Sequence, residues 1–213
     1  MEFKSKEEVQ KYIKIFEEKQ TENDNIIFGN SQKFGNTLLI NFDTQITQYD
    51  YTKYHDFIKD LGNLPNKDNI LVLGDGDGGL TQYDFSNKIT YIERSSYIME
   101  KSKKYFGAKW NNTYKIINED ILNINQKDLC NDYDIIVICC NQFFNNNNLD
   151  YLQKILPKKN QEIIMYLYTD NLSNINNLKN NVKKFINNFQ YFKIHTQYFE
   201  SFNGNANFIK GVL

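Results

Sequence analysis

Apolar and polar positions follow two different rhythms along this chain. In residues 3–18, Phe3, Val9, Tyr12, Ile13 and Phe16 fall near helical spacing, which predicts an amphipathic N-terminal helix. Next, "NIIFGNSQKFGNTLLINFDTQITQYD" is rich in β-branched and aromatic residues and is punctuated by Gly29 and Gly35. That combination predicts short antiparallel strands joined by tight turns. From Ile70 the rhythm changes to short apolar runs separated by helical stretches. Strands are predicted at Ile70–Leu73, Ile89–Ile92, Tyr114–Ile117, Ile135–Cys139, Glu162–Tyr168 and Tyr191–Tyr198, with helices at Ser96–Phe106 and Ser173–Asn187. This alternation predicts parallel strands with helical crossovers, hence an α/β, Rossmann-like doubly wound sheet. The closing "NANFIKGVL" is expected to pair antiparallel at the sheet edge. Pro65 and the polar "NLPNKDN" around it divide the chain into an N-terminal helix (1–24), a small β-rich domain (25–64) and a Rossmann-like domain (65–213).

Composition narrows the function. A hydrophobic fraction of 40% and an aromatic fraction of 15% suffice for a core, and the net charge is −1. Arg94 is the only arginine, and no basic stripe is present to neutralise phosphates, so nucleic acid is not an expected partner. No apolar stretch approaches the ~20 residues of a membrane span. The first twenty residues carry glutamates throughout and have the character of neither a signal nor a transit peptide. Cys130, Cys139 and Cys140 have no disulfide-framework or metal-ligand spacing. The expected compartment is therefore the reducing cytoplasm, and no metal is expected. Runs of asparagine such as "NNNN" at 145–148 read as compositional bias.

The candidate chemistry begins at "NILVLGDGDGGL" (69–80), where Gly74-x-Gly76-x-x-Gly79 follows a strand and is expected to open a helix. Glycines let backbone N–H groups approach a ligand, and a helix N-terminus adds partial positive charge. A plain tight turn is the competing reading. Glu93 ends the second strand, where a carboxylate can accept both ribose hydroxyls. Asp120, in "NEDIL", follows the third, where it can meet an adenine amino group or simply cap a helix. Three such features at successive strand ends point to an adenosine-containing ligand, either a dinucleotide or an S-adenosylmethionine relative. Asp75 and Asp77 repel a pyrophosphate and suit a ligand bearing ammonium and sulfonium groups, unless they face solvent.

At these residues the chain resembles a known family, the spermidine and spermine synthases. "LVLGDGDGGL" is similar to the family's G-G-G-D-G-G loop, and "SQKFGNTLLI" to the β-hairpin before it. "QITQYDYTKYHDF" resembles the Q-x-T-E-x-D-E-x-x-Y-Q-E stretch, with Gln45, Thr47, Asp50 and Tyr54 on matching positions. "ITYIERSSYIMEKSKKYF" and "YDIIVI" resemble the second strand and helix and the fourth strand, so the similarity covers roughly residues 30 to 140. The resemblance implies binding of decarboxylated S-adenosylmethionine or a related nucleoside, with no metal, and aminopropyl transfer to a polyamine. It implies that Gly74, Gly76, Gly78 and Gly79 form the nucleoside-binding loop, in which Asp77 holds the aminopropyl ammonium, with Glu93 on the ribose and Asp120 on the adenine. Gln45 and Tyr54 would line the cleft, and the protein would be a homo- or hetero-oligomer.

The family pattern also breaks in places. Aminopropyl transfer needs a base, because a protonated amine is not nucleophilic. The family supplies an aspartate at the end of the fourth strand; here "IVICCNQFF" puts Cys139 on that position and Gln142 on the second acidic one. A thiolate there needs a nearby cation, and small core residues are the alternative reading. The segment corresponding to the gating loop, "NQFFNNNN", is short, and Phe202 stands in place of a tyrosine. His55 stands where a glutamine or another polar residue is usual and is a weak candidate base; His195 reads as a core or edge residue. The losses fall on the polyamine side and spare the nucleoside side. Three functions follow: an aminopropyltransferase, a catalytically inactive relative serving a complex as a structural or regulatory subunit, and a methyltransferase using intact S-adenosylmethionine.

Overall fold

Ile70–Leu73 and Ile135–Ile138 are uninterrupted apolar runs because both faces of their strands are covered. In the computed structural model, Ile70, Val72, Ile135 and Val137 pack into one core and Leu71, Leu73, Ile136 and Ile138 into another on the opposite face. Each fully buried aliphatic side chain contributes roughly 1.5–3 kcal/mol, so these two strands anchor the fold. The structure describes residues 3–84, 88–110, 115–129, 133–140, 162–167 and 190–212.

A four-stranded antiparallel sheet comes first: β1 (Ile13–Gln20), β2 (Asn25–Ser31), β3 (Gly35–Ile40) and β4 (Asp43–Thr47), paired in chain order. Helix α1 (Lys6–Tyr12) packs Val9 against Ile27 and Leu39 of this sheet. Helix α2 (Gln48–Gly62) then leads to a seven-stranded sheet. Its members are β5 (Asn69–Leu73), β6 (Lys88–Ile92), β7 (Lys115–Ile117), β8 (Ile135–Ile138), β9 (Glu162–Leu167), β10 (Tyr191–Phe199) and β11 (Gly204–Val212). Their spatial order is β10-β11-β9-β8-β5-β6-β7, with β7 to β9 parallel across the sheet and β11 antiparallel to both β9 and β10. Helix α3 (Ser96–Tyr105) follows β6, its first turn capped by Ser95 Oγ accepting from the Ile98 N–H at 3.2 Å. The order reverses between β5 and β8, and ligands of open α/β sheets bind in the crevice at such a switch point.

Three expectations need correction. Only Lys6–Tyr12 of the predicted N-terminal helix is helical; Ile13 turns extended (φ −129°) and begins β1. Ile13 and Ile15 fit a strand's two-residue period as well as a helix's, and pairing with β2 decides between them. After the glycine loop there is one 3-10 turn, Gly79–Gln82, in place of an extended helix. The C-terminal strand lies between β9 and β10 within the sheet, so β10 is the edge. The predicted helix at Ser173–Asn187, Cys130, Gln142 and the "NQFFNNNN" segment lie outside the described residues.

Candidate functional site

The loop after β5 fits its glycines closely. Gly74 (φ +76°) and Gly78 (φ +70°) adopt the left-handed conformation that favours glycine. A Cβ on Gly76 would stand 2.8 Å from Glu93 Oε2, and one on Gly79 would stand 2.0 Å from the His55 ring. The loop therefore holds its backbone against two acidic or basic side chains.

A cavity of about 750 Å³ opens beside this loop, between the carboxyl ends of β5, β6 and β8 and the inner face of the small sheet. Gln45, Tyr54, Gly74, Gly76, Asp77, Glu93, Asp120 and Cys139 all line it. Gly78 and Gly79 stand back from it, packed beneath Trp110 and His55 respectively. Among the described residues, six carboxylates border the cavity, on Asp24, Asp43, Asp77, Glu93, Glu119 and Asp120, against two cations, Lys19 and Arg94. This balance favours a positively charged ligand over a phosphorylated one.

Glu93 is nearly buried at 8% exposure, its Oε1 accepting from the Ser95 N–H at 2.7 Å. Burial pushes its carboxyl up to about 7, with the Ser95 hydrogen bond and Arg94 opposing. Asn118 Nδ2 donates to the Glu93 carbonyl at 2.7 Å and fixes the strand end. Asp120 takes the capping role, Oδ1 accepting from the Leu122 N–H at 2.9 Å at the start of a 3-10 turn, and the residue borders the cavity. Arg94 ties across the opening, 2.6 Å from Asp24 and 3.8 Å from Asp120. Gln45 Nε2 donates to the Asp43 carbonyl at 3.1 Å. The Asp24 and Asp43 contributions were invisible in the sequence, because Asp24 lies in the β1–β2 connection and Asp43 opens β4, and only the packing of the two sheets brings them to the cavity.

His55 is fully buried on α2 and does not border the cavity. Nδ1 lies 2.7 Å from the Tyr51 carbonyl, and Nε2 lies 3.2 Å from Asp75 Oδ1 and 3.1 Å from Asp77 Oδ1. Burial disfavours the imidazolium, but the Asp77 and Asp75 carboxylates outweigh it and hold His55 up at about 10. A histidine protonated at neutral pH and sealed from the cavity takes no proton from an amine there. His55, Asp75 and Asp77 are also spaced so that one ion could touch all three. Cys139 donates its backbone N–H to the Leu73 carbonyl at 2.9 Å, and burial with nearby Asp75 and Asp77 drives its thiol well above the usual range. It is a neutral wall residue. Phe202 packs against Phe199 in the core, and His195 lies on edge strand β10 opposite Phe208. Among the described residues, no helix is long and apolar enough to cross a membrane.

The chain matches no family model. Among curated relatives, the polyamine aminopropyltransferase of Bacillus cereus (strain ATCC 10987 / NRS 248) is 29% identical over 130 residues, 56% of this chain and 46% of that protein. The polyamine aminopropyltransferase of Clostridium botulinum (strain Eklund 17B / Type B) is 33% identical over 119 residues, 51% of this chain and 41% of that protein. The chain thus spans about half the length of the curated relatives it matches. A spermidine synthase solved with the transition-state analogue AdoDATO superposes with a TM-score of 0.78 at 15% identity, over 93% of this chain and 72% of that one. The structural likeness establishes the Rossmann-like fold, and the similarity to curated polyamine aminopropyltransferases supports the spermidine/spermine synthase family.

Proposed function

We infer, on the premise of that family, that this chain binds decarboxylated S-adenosylmethionine or a related thioether nucleoside and that its chemistry, where it turns over, is aminopropyl transfer to a polyamine. The observation that carries this reading is the cavity itself, where Glu93, Asp77 and Asp120 meet at successive strand ends amid six carboxylates and two cations. Glu93 accepts from the ribose hydroxyls, Asp120 from the adenine amino group, and Asp77 pairs with the ammonium of the aminopropyl arm. Gln45 and Tyr54 wall the cleft toward the amine. In the transfer, an amine nitrogen attacks the carbon beside the sulfonium. The new C–N bond forms as the C–S bond breaks, and methylthioadenosine leaves with the sulfur electron pair. One proton must leave the amine, and neither the Cys139 thiol nor the His55 imidazolium accepts it.

That protonated thiol favours a second reading, a catalytically inactive relative that serves as a structural or regulatory subunit of a complex. The two separate in one assay: the purified chain with decarboxylated S-adenosylmethionine and a panel of amines, followed by mass spectrometry for methylthioadenosine and the extended amine. Both products above the background of the free amine support the transferase. Nucleoside binding without either product supports the subunit.

A further inference from the structure

Asp75 stands where the resembling loop has a glycine, and its carboxylate is sealed inside the protein at 1% exposure. We propose that Asp75 is the counter-ion of His55, and that this buried pair leaves the negative charge of Asp77 free to hold the ammonium of the nucleoside ligand. The proposal rests on the nucleoside reading above and assigns two positioning residues to that site.

The geometry demands a proton between His55 Nε2 and the two aspartates; burial and Asp77 push the Asp75 carboxyl up while His55 pulls it down, and the two facing carboxylates assign the proton to the ring. His55 Nδ1 faces the Tyr51 carbonyl at 2.7 Å and must carry a proton to donate there. Nε2 faces Asp75 Oδ1 at 3.2 Å and Asp77 Oδ1 at 3.1 Å. A bare lone pair against two carboxylates would be repelled from both sides, whereas an imidazolium satisfies them. The other groups around the ring, Tyr51 and Tyr54 of α2, hold their phenol protons far above neutrality and supply no charge. Asp75 is anchored from its other side as well, Oδ2 accepting from the Leu80 N–H at 3.3 Å.

Counting charges shows what the pair accomplishes. An imidazolium facing Asp77 alone would cancel it, and the loop would offer a ligand ammonium no net attraction. With Asp75 ionised, the three groups sum to one negative charge. Asp75 is fully buried and Asp77 borders the cavity, so that charge is presented at Asp77. Asp77 is also oriented, because Oδ1 is engaged by His55 and by the Gly79 N–H at 3.1 Å, which leaves Oδ2 for the ligand.

Two nucleosides read the effect. Decarboxylated S-adenosylmethionine carries the ammonium; methylthioadenosine has the same nucleoside without it. Asp75→Asn should weaken binding of the former roughly ten- to hundredfold, the worth of one charge-assisted hydrogen bond, and leave the latter unchanged. Adding His55→Gln, which removes the unbalanced cation, should restore most of the loss. Equal weakening of both ligands, or a double variant weaker than Asp75→Asn, overturns the proposal, because either result means that the pair only maintains the loop. Imidazole NMR of the unliganded wild type decides independently of folding in any variant. Both His55 ring nitrogens should be protonated at pH 7.5, unchanged by zinc or magnesium; a neutral or metal-bound ring overturns the proposal. If the wild type binds neither nucleoside, the functional reading fails, and the NMR result still decides whether Asp75 and His55 form the pair.

Discussion

Glu93→Gln should stabilise the unliganded protein and weaken its ligand binding. Burial raises the Glu93 carboxyl from 4.5 to about 7, so the folded chain holds this proton more tightly than the unfolded chain. Between those values the folded state binds more protons, and its stability falls as pH rises across the window. At about 1.4 kcal/mol per pH unit, the loss reaches about 3 kcal/mol by pH 8. Glutamine keeps the shape and carries no charge to desolvate. In urea unfolding at a series of pH values, the variant's advantage over wild type should be smallest at pH 4 and grow by about 3 kcal/mol by pH 8. Comparing the two proteins isolates Glu93 from His55 and Asp75, which titrate in both. The opposite effect appears on binding, where a carboxylate accepting two ribose hydroxyls becomes a poorer acceptor. Methylthioadenosine affinity should fall roughly ten- to hundredfold in the variant. In the wild type it should weaken about tenfold per unit below pH 7, because the ligand selects the ionised form. A stability difference independent of pH, or a variant that binds as well as wild type, would refute the reasoning.

Cys139→Asp places a carboxylate at the end of β8. If a base is all that the site lacks, turnover with an accepted amine should rise roughly 10²–10⁴-fold, read as methylthioadenosine release; no rise means the amine pocket is also altered. Gly79→Ala puts a methyl group 2.0 Å from the His55 ring, and thermal unfolding should show a loss of roughly 1–3 kcal/mol or more. Arg94→Ala cuts the tie to Asp24, which is partly exposed. Stability should change by no more than about 1 kcal/mol, while removal of a cavity-lining cation should strengthen binding of decarboxylated S-adenosylmethionine in calorimetry at low salt. His55 titrates upward in the folded state, to about 10. The stability it lends is therefore fully present below pH 6.5 and is lost as pH rises toward 10. Above pH 8, where Glu93 no longer titrates, urea midpoints should keep falling toward pH 10 in the wild type and fall less in His55→Gln.

The large sheet was legible because strands buried on both faces read as unbroken apolar runs, as in "ILVL" and "IIVI". Glu93 and Asp120 were legible for a related reason, since parallel strands deliver the residues just past their ends to one edge. Strand β1 was not. Its "IKIFEEKQ" is rich in helix-forming residues and satisfies both periods, and only pairing with β2 settles it. The Asp75–His55 contact was equally hidden. His55 was visible as an unusual residue on α2 and Asp75 as an extra charge in the loop, but nothing local says that 20 positions of chain close into a 3.2 Å contact. Cys139 was legible in its alternatives: a thiolate there needed a nearby cation, and burial beside Asp75 and Asp77 keeps the thiol protonated instead.

The central claim is that the cavity holds a nucleoside carrying an ammonium arm. Calorimetric titration of the purified chain with decarboxylated S-adenosylmethionine and with methylthioadenosine tests it most directly. Binding of both, tighter for the ligand with the ammonium, is the predicted result. The absence of heat from either at millimolar ligand would contradict the account.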